Sequence, residues 1–533
     1  MDKPAEETGA IARSAGAVGI AVMCSRVLGL LREQAFAILF GAGFAFDAFV
    51  VAFRIPNLLR DLFGEGALSA AFVAVFSDYQ VNRGEQETWR LASNVLTVCG
   101  VLLSILTLVG IFSAEPLVRL LVEADFEAIP GKVELAALLT AIMFPFLICI
   151  SLAAVVMGML NSRGRFFIPA LASSFFNLGS LVGGVGLALL LPRFGQPAIV
   201  GMAIGTLIGG LLQLAGQLPT LGRTGFRFKP VFDLGDPGLR RIGRLMLPAV
   251  IGLAPLQINV LINTYFASSL PEGALSWLNY AFRLFWLPVG LFGVTLSIAA
   301  MPVISRHAAR RDLPRLRETY VSSLTLAFVL TIPASIGLIL LAEPIIRLIF
   351  QYGRFDAATT ARTAEVLVCY AIGLFAYASV KIMVPVFYAL DRTRYPVAGS
   401  FLTMLLNLAL ISVLIGSLRH QALALSISLA MIGNFLFLSA MLYRTMGGYS
   451  LAYLGRGLLK SGAAALLMGL WLFGLREGLA AWLPETLWAR IIGLLLCLLS
   501  SGLIYGLALQ ALKLHELNQL VERLRGRFSR SAG

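Results

Sequence analysis

Charge is scarce in this sequence. Only 13% of its 533 residues are Asp, Glu, Lys or Arg, where soluble domains carry about 25%. Histidine is scarcer still, at three residues. The five cysteines, Cys24, Cys99, Cys149, Cys369 and Cys497, sit in apolar runs without a C-x-x-C spacing. These absences exclude a metal cluster and a disulfide framework. The cysteines are expected to be small buried apolar side chains. There is no G-x-x-x-x-G-K-[ST]; Gly131-Lys132 leads into Val133. ATP hydrolysis by this chain is therefore disfavoured, and no cofactor is expected.

What is abundant is apolar sequence. Hydrophobic residues make up 58% of the chain, in continuous runs of roughly 20 residues, the length of a membrane-spanning helix. In lipid each backbone group must be satisfied internally, and continuous runs favour helices over the alternating strands of a barrel. The expected fold class is an all-α polytopic membrane protein. Fourteen spans are predicted, near 15–40, 46–76, 92–113, 134–160, 167–192, 197–221, 245–268, 274–304, 318–342, 363–390, 395–416, 421–443, 457–475 and 487–511. Arg13 ahead of Ala15–Ser25 imitates a signal peptide, but acids precede it and Arg26 follows at once, so an uncleaved first span is expected.

Lys and Arg set the orientation. With the N-terminus in the cytoplasm, the inner loops and tails hold 27 of them and the outer loops 9. Both termini are therefore expected to be cytoplasmic. The tail "LHELNQLVERLRGRFSR" is basic and amphipathic and is expected along the inner leaflet. This bias and the arginines inside spans explain the net charge of +14; nucleic acid is not implied as a partner.

The chain also repeats itself. "VAFRIPNLLRDLFGEGALSAAF" aligns with "YAFRLFWLPVGLFGVTLSIAAM" at an offset of 229: Ala52-Phe53-Arg54 with Ala281-Phe282-Arg283, and Leu62-Phe63-Gly64 with Leu291-Phe292-Gly293. Asn177-Leu178 matches Asn407-Leu408 at 230. A unit of six spans leaves the two halves in the same orientation, an arrangement of alternating-access transporters with the site between lobes. The expected organisation is an N-terminal lobe at 1–223, a second, pseudo-symmetric six-helix lobe at 224–450, two C-terminal helices at 451–512, and a basic tail at 513–533.

Charges inside spans are costly, roughly 2.5–3.5 kcal/mol each on insertion scales. Six cations fall there: Arg26, Arg32, Arg54, Arg60, Arg283 and Lys381. The acids are Glu33, Asp47, Asp61 and Glu65. Positions seven apart share a helix face. Arg26 thus shares one with Glu33, and Asp47, Arg54 and Asp61 share another, with Asn57 close by. Mutual neutralisation between packed helices is the plain alternative, strongest for Arg54. Arg283, in "NYAFRLFWLP", has no acid within a helical turn in sequence. Lys381 either lines the cavity or snorkels. The second lobe has no mid-span acid, and its first span offers only Asn259 and Asn263. A cationic cavity calls for an anionic substrate, and arginine suits the two-toothed recognition of phosphate or carboxylate.

At these residues the chain resembles the MurJ (MviN) family of lipid II flippases, within the multidrug/oligosaccharidyl-lipid/polysaccharide exporter superfamily. The resemblance lies in "SRVLGLLRE", "DAFVVAFRIPNLLRDLFGEGALSAAFV", "LNSRGRFFIPA" and "QYGRFD". It implies a transporter, not an enzyme, that moves lipid-linked peptidoglycan precursor from the inner to the outer leaflet of a bacterial plasma membrane. It implies a V-shaped pair of lobes, a groove for the polyprenyl tail at spans thirteen and fourteen, and cell-wall synthesis machinery as a partner. The family's essential arginines fall on Arg26, Arg32, Arg60 and Arg283; its second-span polar residues fall on Asp47, Asn57 and Glu65, and its eighth-span serine on Ser276. Arg26, Arg32, Arg60, Arg283, Asn57 and Ser276 are thus the expected substrate contacts. Asp47, Arg54, Glu33, Asp61 and Glu65 are the expected charge and gating network. In some relatives acids flank the eighth-span arginine; here those positions are Phe282 and Trp286.

Three rivals fare worse. A drug/cation antiporter would present acids and aromatics to its cavity. A membrane glycosyltransferase or ligase needs catalytic carboxylates or histidines in sizeable outer loops, and the outer loops are short. A scaffold would not keep six cations within spans.

Overall fold

The computed structural model describes residues 3–62, 67–482, 484 and 486–513, and these are helical nearly throughout, with no strand among them. They divide into two compact units. Unit 1 comprises residues 1–276 with Tyr352–Arg354, and unit 2 the remainder from Trp277.

Unit 1 contains α1 (Lys3–Phe40), α2 (Phe44–Arg60), α3 (Ala67–Asn82), α4 (Gly84–Phe112), α5 (Ala114–Leu121), α6 (Ala124–Glu127), α7 (Lys132–Met143), α8 (Phe146–Ser162), α9 (Phe167–Leu190), α10 (Ala198–Ala215), α11 (Leu218–Gly222) and α12 (Pro237–Ser268). The expected second span is two helices. α2 ends in a π-type turn at Asp61–Leu62, and Gly64, Glu65 and Gly66 lie outside the described residues. The expected fourth span is α7 and α8, meeting at Phe144–Pro145. α9 and α10 cross closely. A Cβ on Gly205 would sit 2.3 Å from the Gly184 Cα, so only a hydrogen fits at this crossing, as in small-residue packing between membrane helices. Phe72, Phe76, Val95, Val155 and Met159 fill the core between α3, α4 and α8.

Gly41 closes α1 with φ +63°, a conformation that favours glycine. A Cβ there would meet the Arg354 carbonyl oxygen at 2.4 Å. The Arg354 amide donates to the Ile38 carbonyl at 3.0 Å. The central residues of "QYGRFD" therefore cap the C-terminus of α1, whose last carbonyls have no partner within the helix.

Unit 2 contains α13 (Ala274–Pro288, its first turn within unit 1), α14 (Thr295–Ala309), α15 (Leu313–Phe350), α16 (Ala357–Ile372), α17 (Leu374–Ala389), α18 (Arg394–Leu418), α19 (His420–Thr445), α20 (Leu451–Trp482) and α21 (Leu487–Ala511). A π-helical turn, Val289–Val294, follows Pro288 between α13 and α14. Shifted by 229, the Asp61–Leu62 turn falls within it. Aspartates start three long helices: Asp236 accepts from the Leu239 amide, Asp312 from Arg315 and Asp356 from Thr359. Such caps satisfy amides the helix cannot. Leu316, Tyr320, Phe328, Met383, Phe387 and Leu438 form the core.

Among the described residues eleven helices are long and apolar enough to cross a membrane, or twelve if the pair α16–α17, bent by 44°, is one span. They coincide with the third to fourteenth expected spans. The first two expected spans fall on α1, which carries Arg26, Arg32 and Glu33, and on the broken pair α2–α3. Cys149, Cys369 and Cys497 are buried as expected, but Cys99 is only partly covered and Cys24 is exposed. Cys24 lies beside exposed Val22, Met23 and Val27 on α1. The tail from residue 514 lies outside the described residues.

Candidate functional site

The arginines of unit 1 lie on α1 and α2. α1 runs unbroken through its charges, because an α-helix satisfies its own backbone whatever its side chains carry. Arg26 is exposed, with no ion pair among the described residues. Arg32 is only 12% exposed and pairs with its chain neighbour Glu33 at 2.8 Å. Its guanidinium also lies 5.3 Å from the centroid of the Phe176 ring on α9, within cation–π range. On α2, Arg60 donates through Nε and Nη2 to Asp61 Oδ1 at 3.2 and 2.8 Å. The other oxygen of Asp61 accepts from Gln257 on α12 at 3.2 Å. Asn57 and Arg54 are half-buried about one and two turns earlier.

The predicted shared face of Asp47, Arg54 and Asp61 is not how the two acids are used. Asp47 is buried and belongs to a different cluster. Its Oδ1 accepts from the Ser276 hydroxyl at 2.6 Å and the Ser276 amide at 3.0 Å. Its Oδ2 accepts from the Gly273 amide at 2.8 Å and from Lys132 Nζ at 3.2 Å. Asp47 and Lys132 are each 2% exposed. The Lys132 ammonium also stands 4.7 Å from the Phe126 ring centroid. Asp47 thus caps the start of α13, where free amides favour an anion.

The reverse cap is present too. Glu272 Oε1 accepts from the Phe44 amide at 2.8 Å, at the start of α2. Gly43 admits it: a Cβ there would lie 2.9 Å from that oxygen. Asp47 and Ser276 are 229 residues apart, as are Gly43 and Glu272. The two helix starts related by the repeat therefore cap each other reciprocally. Ser276, expected as a substrate contact, is fully buried and bonded to Asp47 in this conformation.

In unit 2, Arg283 is exposed on α13. Its flanking residues, Phe282 and Trp286, stack with centroids 5.6 Å apart. Phe285, Tyr370 and Tyr377 complete an aromatic cluster. Lys381 Nζ lies 5.5 Å from the Trp286 ring centroid, which gives this cation a π-face in place of an acid. Glu365 is bound by His420 at 2.7 Å and by Gln421 at 3.0 Å. No group of three metal-ligating side chains occurs among the described residues.

Reading the sequence for span charges missed Lys132 and Glu272, because both lie in loops or at helix starts. The repeat offset was the available signal for Glu272. Nothing in the sequence alone marked Lys132.

The chain matches the sequence model of the family described as "Lipid II flippase MurJ" over residues 36–493. It is 35% identical over 427 residues to the probable lipid II flippase MurJ of Buchnera aphidicola subsp. Acyrthosiphon pisum, covering 80% of this chain and 83% of the relative. Among solved structures, "Lipid II flippase MurJ, inward closed conformation" superimposes with a TM-score of 0.76 at 25% identity, over 93% of this chain and 99% of that one. An inward-facing multidrug resistance MATE family transporter of the MOP superfamily aligns with a TM-score of 0.66 at 15% identity, over 79% and 95% of the two chains, a likeness of fold alone. Since the family's pattern extends over most of both units, this chain belongs to the lipid II flippase MurJ family.

Proposed function

We propose that this chain exports lipid-linked peptidoglycan precursor, lipid II, from the inner to the outer leaflet of the bacterial plasma membrane by alternating access. The observation that carries this reading is that Arg26, Arg32 and Arg60, on α1 and α2 within the first two expected spans, are exposed or part-exposed in a chain of the flippase family. Guanidinium groups held there are costly unless they meet an anion. A phosphate offers the two-toothed partner that arginine fits. Arg283 and Asn57 join them as substrate contacts. Ion pairing of Arg32 with Glu33 and of Arg60 with Asp61 keeps those guanidiniums oriented until a headgroup takes the carboxylates' place. Arg54 and Glu65 belong to the same charge network.

The reading extends to architecture. Fourteen spans, counting α1 and α2–α3, form two six-helix lobes at 1–223 and 224–450, with 451–512 as a groove for the lipid tail. Both termini are cytoplasmic by the Lys/Arg bias, and cell-wall synthesis enzymes receive the product. In this orientation the reciprocal caps of Asp47 and Glu272 lie on the outer side. They act as a latch that must open once per transport cycle, with Ser276 as its catch.

The test is rescue of a strain depleted of its own flippase. Expression of this chain should restore growth and clear lipid-linked precursor from the inner leaflet. Growth rescue without that clearance, or no rescue from a stably inserted chain, would refute the reading.

A further inference from the structure

We propose that residues 223–234, between α11 and α12, are an anchor on the anionic lipid surface of the inner leaflet. From Phe226 to Asp233 the chain has neither helix nor turn. The backbone of such a segment needs partners from elsewhere, and α4 supplies them. Asn94 Nδ2 donates to the Asp233 carbonyl at 2.8 Å, and the Asp233 amide donates to Asn94 Oδ1 at 2.9 Å. The Val231 amide donates to the Thr97 hydroxyl oxygen at 3.4 Å. Asn94 is fully buried in this exchange. Phe226 is buried against Trp89, with ring centroids 5.2 Å apart.

These contacts fix the depth of the segment. Asn94 and Thr97 lie within the third expected span, near 92–113, so the segment is tied to the membrane boundary and does not stand off in water. Its outward side chains suit that level: Phe228, Phe232 and Leu234 are 54%, 56% and 56% exposed. Among them stand Arg223, Arg227 and Lys229, exposed and without an ion pair among the described residues. The segment's own acid, Asp233, is half-buried and accepts from the Gly235 amide at 2.8 Å. Glu85 and Glu87, in the first turn of α4, are exposed, but Glu85 already pairs with Arg163 at 2.9 Å. Phenylalanine and leucine beside basic residues are the composition that lies in a headgroup layer, and bases at that level attract anionic lipid. An acidic protein would meet the bases but leave the apolar side chains uncovered. That the leaflet is the inner one rests on the orientation proposed above; the choice of headgroup does not.

The experiment labels Phe228→Cys with the polarity-sensitive dye NBD, in the full chain otherwise free of cysteine. The labelled protein is placed in nanodiscs of phosphatidylcholine and phosphatidylglycerol at low salt. A fraction of one lipid or the other carries a nitroxide near the top of its acyl chain. Both labelled lipids should quench the dye, and aqueous iodide should reach it poorly. Labelled phosphatidylglycerol should half-quench at a mole fraction about fivefold lower than labelled phosphatidylcholine, the gain of a single cation at an anionic surface. Arg223→Gln with Arg227→Gln and Lys229→Gln should erase that preference. So should about 1 M salt acting on the parent chain, which decides the matter if the triple variant does not fold. Quenching by iodide and by neither lipid would overturn the anchor. Equal quenching by the two lipids in the parent would overturn its choice of anionic headgroups. Undecaprenyl pyrophosphate that relieves the phosphatidylglycerol quench at one molecule per chain would overturn it as well, by assigning the bases to the exported lipid. Nanodiscs carry the same lipids on both faces, so these outcomes are independent of orientation; labelling of the same cysteine from outside intact cells would refute the orientation alone.

Discussion

Asp47→Asn is the sharpest test of the latch. Three hydrogen bonds reach its carboxylate from the start of α13: the Gly273 amide, the Ser276 amide and the Ser276 hydroxyl, at 2.8, 3.0 and 2.6 Å. Hydrogen bonds to a charged group contribute roughly 1.5–3 kcal/mol and neutral ones roughly 0.5–1.5. Removing the charge therefore costs the latched state about 1 kcal/mol per bond, or about 3 kcal/mol in all. Lys132 adds to this, since a buried cation stripped of its partner is destabilising by roughly 3–5 kcal/mol. The bonds alone move the latch equilibrium by about a hundredfold. The assay is labelling of Leu275→Cys by a membrane-impermeant maleimide, in a chain otherwise free of cysteine because native Cys24 is exposed. Leu275 is 3% exposed beside the catch, so the cysteine should be protected when Asp47 is present. Asp47→Asn should raise the labelling rate by one to two orders of magnitude, about the shift worked out above. Adding Lys132→Met should recover part of the protection, because the stranded ammonium is then gone. A folded Asp47→Asn protein labelled within about threefold of its parent would refute the reasoning, since that is less than 1 kcal/mol.

Three further outcomes are expected. Arg26→Ala, Arg32→Ala, Arg60→Ala and Arg283→Ala should each abolish rescue of a depleted strain while the protein still inserts, and Lys at these positions should rescue partially because the fork is lost; normal growth with two or more of the alanine variants counts against a cationic site. Export should follow membrane potential, because each negative charge moved outward gains roughly 2.3 kcal/mol per 100 mV and α12 offers Asn259 and Asn263 where a cation site would use a carboxylate; headgroup exposure that survives collapse of the potential but fails without sodium would show otherwise. Asp356 caps α16, and hydrogen bonds from Thr359 hold its carboxyl below the ordinary aspartate value; that stability is present above about pH 4 and is lost as pH falls through the depressed value, so Asp356→Ala should lower the unfolding free energy by about 1 kcal/mol at pH 7 and make no difference in strongly acidic buffer, as read from thermal melts.

The membrane class and most helices were legible because lipid imposes one rule, a long apolar run, and twelve of the expected spans obey it. The first two expected spans fall on α1, which carries Arg26, Arg32 and Glu33, and on α2 and α3, which at 17 and 16 residues are each short of a full span. Pairing was harder to read. Arg32 with Glu33 and Arg60 with Asp61 are chain neighbours, and neighbours do not normally face each other on a helix. The long arginine side chain bends round to meet the acid, which periodicity cannot register. Lys132 escaped notice for a different reason. Its partner is 85 residues away, and its burial is created only when α7 packs beside α2. Glu272 could have been anticipated, since the 229-residue offset carries Gly43 onto it.

The paired π-turns, Asp61–Leu62 and Val289–Val294, have a historical consequence. A π-turn holds one residue more than the α-helical turn it replaces, so it records an inserted residue. Two insertions at matching places in both copies are most simply one insertion that preceded the duplication. Deleting one residue from the Val289–Val294 turn would rotate α14 by about 100° relative to α13.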